Sequence, residues 1–210
     1  MNNLKIILLL TICWLTVSMQ AQTTKEAFIS LPENLSADLN AYLRMDLIDL
    51  YHAGLPALVK NSLGDTLVLE RLTPDYLRLK AGGGSLQLIV LKMINESPLY
   101  CLIRTVCSPV CDSRIEFYSP SWNRLQPENF VSPASPEFFI ENKSDFPCID
   151  ISLMQWVYEP ETAALQQIYN TPHYLSPDDR QSIQPFVKAT AKHYYWTGMR
   201  FESGSPDFHN

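Results

Sequence analysis

The chain has 210 residues, 46% of them hydrophobic, with 16 Lys and Arg against 22 Asp and Glu and a formal net charge of −6. That apolar content excludes a disordered chain. An acidic balance without basic clusters leaves no electrostatic footprint for nucleic acid or for an anionic lipid surface.

In chain order, residues 1–21 read as a secretory signal peptide: Lys5 is the basic start, Ile6 to Val17 the apolar run, and Ser18-Met19-Gln20-Ala21 the small-residue cleavage region. The run is too short to span a bilayer comfortably, and no later stretch approaches the roughly 20 apolar residues of a spanning helix, so no transmembrane span is expected. The expected location is the periplasm or the exterior, with a single domain over 22–201 and a frayed tail over 202–210. Residues 36–53 predict one long helix. Ser36 is placed to cap it, Asp38 lies in its first turn, and Leu39, Tyr42, Leu43, Leu47, Leu50 and Tyr51 recur at helical spacing. Gly54 and Pro56 end it.

After Pro56 the period shortens. Thr66–Arg71, Asp75–Lys80, Ser85–Lys92 and Leu99–Val106 are strand-like segments, separated by turn signals that include Gly82-Gly83-Gly84. Arg114–Tyr118 is a fifth. Residues 119–147, rich in Pro, Ser and Asn, read as a long connection. Strands near 148–158 and 163–170 follow. Ser176-Pro177-Asp178-Asp179 starts a shorter helix with a serine cap and a first-turn proline. His193–Phe201 is the closing strand. Hairpin-linked strands without βαβ alternation give an α+β class: a curved antiparallel meander packed by one long N-terminal helix and one shorter late helix.

Few residues announce chemistry. The triglycine leads into a strand and not a helix, so it is a hairpin turn and not a phosphate cradle. Asp46 falls on the apolar stripe of the 36–53 helix, where a carboxylate must be partnered or protonated; it is either a structural anchor or a catalytic acid. Arg44 and Asp49 fall off that stripe and are expected in surface pairs. Asp112 and Ser113 stand where a loop meets a strand and suit either a turn or an active site. Arg114 beside them can bind an anion. Trp122 and Trp196 are candidate ligand-stacking residues if exposed, and core residues if not. Cys107 and Cys111 flank Ser-Pro-Val and are the favoured disulfide; Cys101 and Cys148 would pair only if their strands are neighbours. The cysteine spacing matches no zinc pattern, and no metal or cofactor is expected.

Leu43-Arg44-Met45-Asp46-Leu47-Ile48-Asp49-Leu50-Tyr51-His52-Ala53-Gly54, with Asn61-Ser62-Leu63-Gly64 and Leu72-Thr73-Pro74-Asp75-Tyr76-Leu77, forms one distinctive stretch. Thr105-Val106-Cys107-Ser108-Pro109, Asp112-Ser113-Arg114-Ile115-Glu116-Phe117-Tyr118, Trp122 and the closing Tyr195-Trp196 form another. Over nearly the whole chain after residue 21, they resemble an uncharacterised family of exported proteins from Bacteroides-type Gram-negative gut anaerobes. The resemblance implies envelope or surface residence and no reaction. The sequence therefore favours a non-catalytic binding or interaction module of the cell envelope, its partner a protein, a small molecule or a glycan. The alternative is a hydrolase of an envelope or dietary substrate using Asp46, Asp112 and Ser113.

Overall fold

The structure is a computed structural model that describes residues 22–36, 39–141, 146 and 149–204. The signal-peptide reading, Asp38 and Cys148 lie outside those residues.

Two antiparallel sheets stack face to face, and a helical layer covers the outside of the larger one. Helices α1 (Thr24–Ser30) and α2 (Ala41–His52) lead into strands β1 (Leu58–Lys60), β2 (Thr66–Leu72), β3 (Tyr76–Ala81), β4 (Gly84–Lys92), β5 (Pro98–Cys107), β6 (Cys111–Tyr118) and β7 (Arg124–Leu125). These seven strands form a pure meander, each paired with the next. A one-turn helix α3 (Pro136–Phe139) precedes β8 (Met154–Glu159) and β9 (Ala164–Tyr169). Helices α4 (Thr171–Tyr174) and α5 (Pro177–Ile183) then lead to β10 (Ala191–Trp196) and β11 (Phe201–Ser203). The last four strands make a second sheet in the order β11-β10-β9-β8.

The strand period explains the layering. On β3 to β6, Leu77, Leu79, Leu86, Leu88, Tyr100, Leu102 and Tyr118 point to the helices and pack with Ala27, Phe28, Leu31, Leu47 and Ile48. Their neighbours Tyr76, Ile89, Leu91, Leu99, Cys101, Ile103, Ile115 and Phe117 point the other way, onto Trp156, Tyr158, Leu165, Tyr194 and Phe201 of the second sheet. A sheet buried on both faces needs apolar residues at consecutive positions. That is why Leu88–Leu91 and Leu99–Ile103 read as unbroken apolar runs. Gln87 is a buried polar residue between the sheets. Its Oε1 accepts from the Tyr76 hydroxyl and from the Tyr158 backbone N–H, both at 3.1 Å, so its burial leaves the carbonyl satisfied.

The α+β class and the antiparallel meander hold. Several details differ from the expectation. The single sheet is two. The long N-terminal helix is shorter than 36–53, and the preceding α1 is a second helix. α1 opens with a reciprocal capping box in which Thr23 and Glu26 bond each other's backbone N–H. The cap of α2 is Asn40, whose side chain accepts from Leu43 N–H at 3.0 Å. Ser36 instead donates its buried hydroxyl to the carbonyls of Glu33 and Leu39, which folds the chain between the two helices. The inner face of α2 is centred on Leu47 and turned toward Arg44 and Ile48: these three are buried, while Tyr42 is 80% exposed. Residues 119–147 are not a bare connection, since β7, a 3-10 turn at Pro127–Asn129 and α3 lie within them. The closing strand is a hairpin that turns at Gly198 (φ +87°), and β11 takes in Glu202 and Ser203.

Candidate functional site

Strand alternation puts Arg114, Glu116 and Tyr118 of β6 on one face. Register places Arg104 of β5 opposite Arg114, and Arg124 of β7 opposite Tyr118. This is the helix-facing side of the large sheet. Leu102, Tyr100 and Tyr118 lie in the core beneath the helices, and the charged residues continue the same rows beyond it. The Glu116 side chain is only 3% exposed and is met by three guanidinium groups: Arg104 Nη2 on Oε2, with Arg114 Nε at 3.3 Å and Arg124 Nη2 at 3.2 Å on Oε1.

A buried carboxylate is costly unless paired. Here it is over-paired. Three cations and one anion leave a local charge of +2 on a chain whose total is −6. Each guanidinium has more N–H donors than its one contact with Glu116 uses, and its fork matches carboxylate and phosphate geometry. The side chains of Arg114 and Arg124 are 61% and 53% exposed, so their remaining donors face water. The phenol of Tyr118 at the border of this cluster is raised above its ordinary pKa, chiefly by burial and further by Glu116, with the arginines opposing. The arrangement can hold an anion; it offers no nucleophile with an adjacent base.

A groove of about 400 Å³ opens beside the cluster and shares Arg104 with it. The 3-10 turn Glu33–Leu35 forms one wall, and the ends of β3, β4 and β5 form the floor and the other wall, with Leu35, Ala81, Leu86 and Val106 as its apolar lining. Gly84 allows this floor to exist. A Cβ there would stand 2.3 Å from the Thr105 carbonyl oxygen, inside van der Waals contact, so only glycine lets β4 and β5 approach so closely. The disulfide Cys107–Cys111 closes the β5–β6 hairpin at the end of the groove.

The other sequence candidates are engaged separately. Asp46 is exposed on α2, beside a shallow depression shared with Asp49, Leu50, Ala53 and Val59, and not on the buried stripe. Arg44, expected at the surface, occupies the interior position, its Nη1 and Nη2 donating to the carbonyls of Leu39 and Ile29 at 2.8 and 3.0 Å. Asp112 accepts from Met154 N–H at 2.8 Å and so links β6 to β8, while the Ser113 hydroxyl bonds that of Thr105. Trp122 lies over Tyr100 and Tyr118, with ring centroids 4.7 and 5.5 Å away, and donates to the Ser30 hydroxyl; it pins α1 to the sheet next to the arginines. Trp196 packs edge-on against Phe201 and donates to the Lys92 carbonyl at 2.8 Å. Cys101 is a buried free thiol, held protonated by desolvation.

Of the sequence candidates, the structure thus brings Arg114 and Trp122 to one region. Glu116, Arg104 and Arg124 were missed there. The available signal was a charged pair, Arg114 and Glu116, at period-2 spacing, alternating with the apolar Ile115 and Phe117.

Residues 16–201 match the family described as "Protein of unknown function (DUF3256)", and the chain belongs to that family. No curated protein matches the chain. A solved structure of a domain of an uncharacterised protein from Porphyromonas gingivalis W83 has the same fold: the TM-score is 0.76 at 23% identity, over 86% of this chain and 98% of that one.

Proposed function

We propose that this member of the DUF3256 family is an exported binding module of the cell envelope, released from a signal peptide after Ala21 and folded as one domain over 22–201, whose ligand carries a negative charge. The observation that carries the reading is the arginine trio on Glu116, a net cationic site on an acidic chain. Export is supported by the sequence pattern of residues 1–21 and by the Cys107–Cys111 disulfide, which persists in oxidising compartments. No described helix is long and apolar enough to cross a membrane.

The role of the arginines is read most directly from their own side-chain signals. In a titration of the 15N-labelled protein with inorganic phosphate or citrate, the Nε–Hε resonances of Arg104, Arg114 and Arg124 shift together and saturably, and the shifts shrink as salt is added. The double variant Arg114→Ala/Arg124→Ala loses the response. Saturable shifts confined to other residues would remove the assignment.

A further inference from the structure

We infer that the ligand is a single-chain anionic amphiphile, its carboxylate or phosphate head on the arginine trio and its apolar chain along the groove between the 33–35 turn and the β3–β5 strand ends. This rests on the anion-binding reading above and adds the ligand's other half. Two features share one residue. Arg104 belongs both to the ion cluster and to the groove lining, so a molecule on the arginines extends into the groove without a gap. Alongside the polar Asn34, Ser85 and Thr105, the lining beyond Arg104 is apolar at Leu35, Ala81, Leu86 and Val106, and Val106 is 69% exposed near the end of its strand. A volume of about 400 Å³ suits one small ligand.

Charge sets the direction. Glu33 belongs to the wall formed by the 33–35 turn, so an anionic head is favoured at the arginines and disfavoured beside that turn. The groove is open along one side, as an entering chain requires. The two possible heads share geometry: a planar carboxylate and a tetrahedral phosphate both accept from a guanidinium fork.

The test is a chain-length series on the wild-type protein, below the micelle concentration of each compound: butyl, hexyl and octyl phosphate, the matching carboxylates, and octanol and octyltrimethylammonium as controls for head charge. Each added methylene that enters the groove raises affinity about fourfold, so octyl phosphate binds more than a hundredfold tighter than butyl phosphate. The phosphate and carboxylate arms identify the preferred head. Octanol and the ammonium compound bind far more weakly. Ala81→Phe, which fills the groove, flattens the length dependence while the arginine signals still respond to inorganic phosphate. If that variant does not fold, Val106→Ser, at an exposed position, lowers the increment per methylene instead. Phosphate shifts at the arginines with no dependence on chain length overturn this inference and leave the anion site standing. The absence of any anion response removes both readings. Tight binding to phosphatidylglycerol vesicles with no length dependence among free alkyl phosphates assigns the site to a bilayer surface and overturns the single-chain ligand. Equal affinity for octanol and octyl phosphate also overturns it.

Discussion

Replacing Glu116 with glutamine separates stability from binding, because the two move in opposite directions. Gln keeps the shape of the carboxylate and one acceptor but removes its charge. Arg104 is the least exposed of the three partners, at 35%, and losing its charge-assisted hydrogen bond costs about 1.5 kcal/mol. Arg114 and Arg124 are more than half exposed, so screening limits each of their pairs to about 0.5 kcal/mol or less. Glu116→Gln therefore loses roughly 2 kcal/mol, which for a domain of this size lowers Tm by roughly 4–8 °C. The local charge meanwhile rises from +2 to +3. One more unit of attraction at contact distance across water is worth about 1 kcal/mol, or about fivefold in affinity for a monoanion. Urea denaturation followed by circular dichroism reads the first effect, and phosphate titration of the arginine resonances reads the second. A variant as stable as wild type, or one that binds phosphate more weakly, would refute the claim that a single buried carboxylate both anchors the trio and holds back its charge.

Gly84→Ala forces a Cβ against the Thr105 carbonyl oxygen, a backbone atom that cannot swing away, so β4 and β5 must separate; the expected loss is about 1–3 kcal/mol in denaturant melts. Thr23→Ala removes the side-chain half of the α1 capping box, leaving the Thr23 N–H on Glu26, and costs about 1 kcal/mol near neutral pH. The Thr23 backbone N–H and hydroxyl hold the Glu26 carboxyl below its ordinary value of 4.5; the hydroxyl's share, which the variant lacks, is present above that value and is lost as pH falls through the lowered one. The difference between wild type and variant in thermal melts therefore shrinks in acid; a constant difference down to strongly acid pH would contradict the capping assignment. Cys101 is fully buried and its thiol is pushed well above the ordinary range, so in peptide mass mapping it escapes iodoacetamide at pH 8 and reacts once guanidinium unfolds the chain.

The meander was legible because a local signal repeats: apolar runs of strand length alternate with Gly, Pro and Asn turns, and each turn joins neighbours in space. The second sheet was not separable from the first, because nothing local states which face of a strand meets which layer. The 36–53 helix shows how one local error spreads. The chain makes its turn at Ser36, and Asn40 caps the helix. At about 100° per residue, counting Leu39 and Tyr42 into the helix swings its stripe toward Asp46; Leu39 lies outside the helix and Tyr42 is exposed, while Leu43, Leu47, Leu50 and Tyr51 do face the core. Asp46 was thereby read as buried and Arg44 as exposed, the reverse of what is found. Arg44 fits the interior because two carbonyls at the helix junction, those of Ile29 and Leu39, receive its donors, and neither is visible in a helical projection.

The site is a consequence of unequal lengths. α2 packs on β1 and β2 and α1 on β3 and β4; α1 has 7 residues and runs about 10 Å, whereas β5 has 10 residues and runs about 34 Å. Helices so placed cannot cover β5 from end to end. The uncovered end on the helix side must carry polar residues, and there the β5 and β6 rows change from Tyr100, Leu102 and Tyr118 to Arg104, Glu116 and Arg114. Were that end merely solvated, alternating Lys and Glu of low burial would suffice. Instead one carboxylate is buried to the same degree as the core and surrounded by three arginines, which costs desolvation that a simple surface would avoid. Pre-ordering cationic forks next to an apolar groove lowers the entropy that an anionic ligand would otherwise lose in assembling them. The arrangement is easier to explain as a seat for such a ligand than as a stabilising device, because a pair of well-packed apolar side chains would have closed the sheet at lower cost.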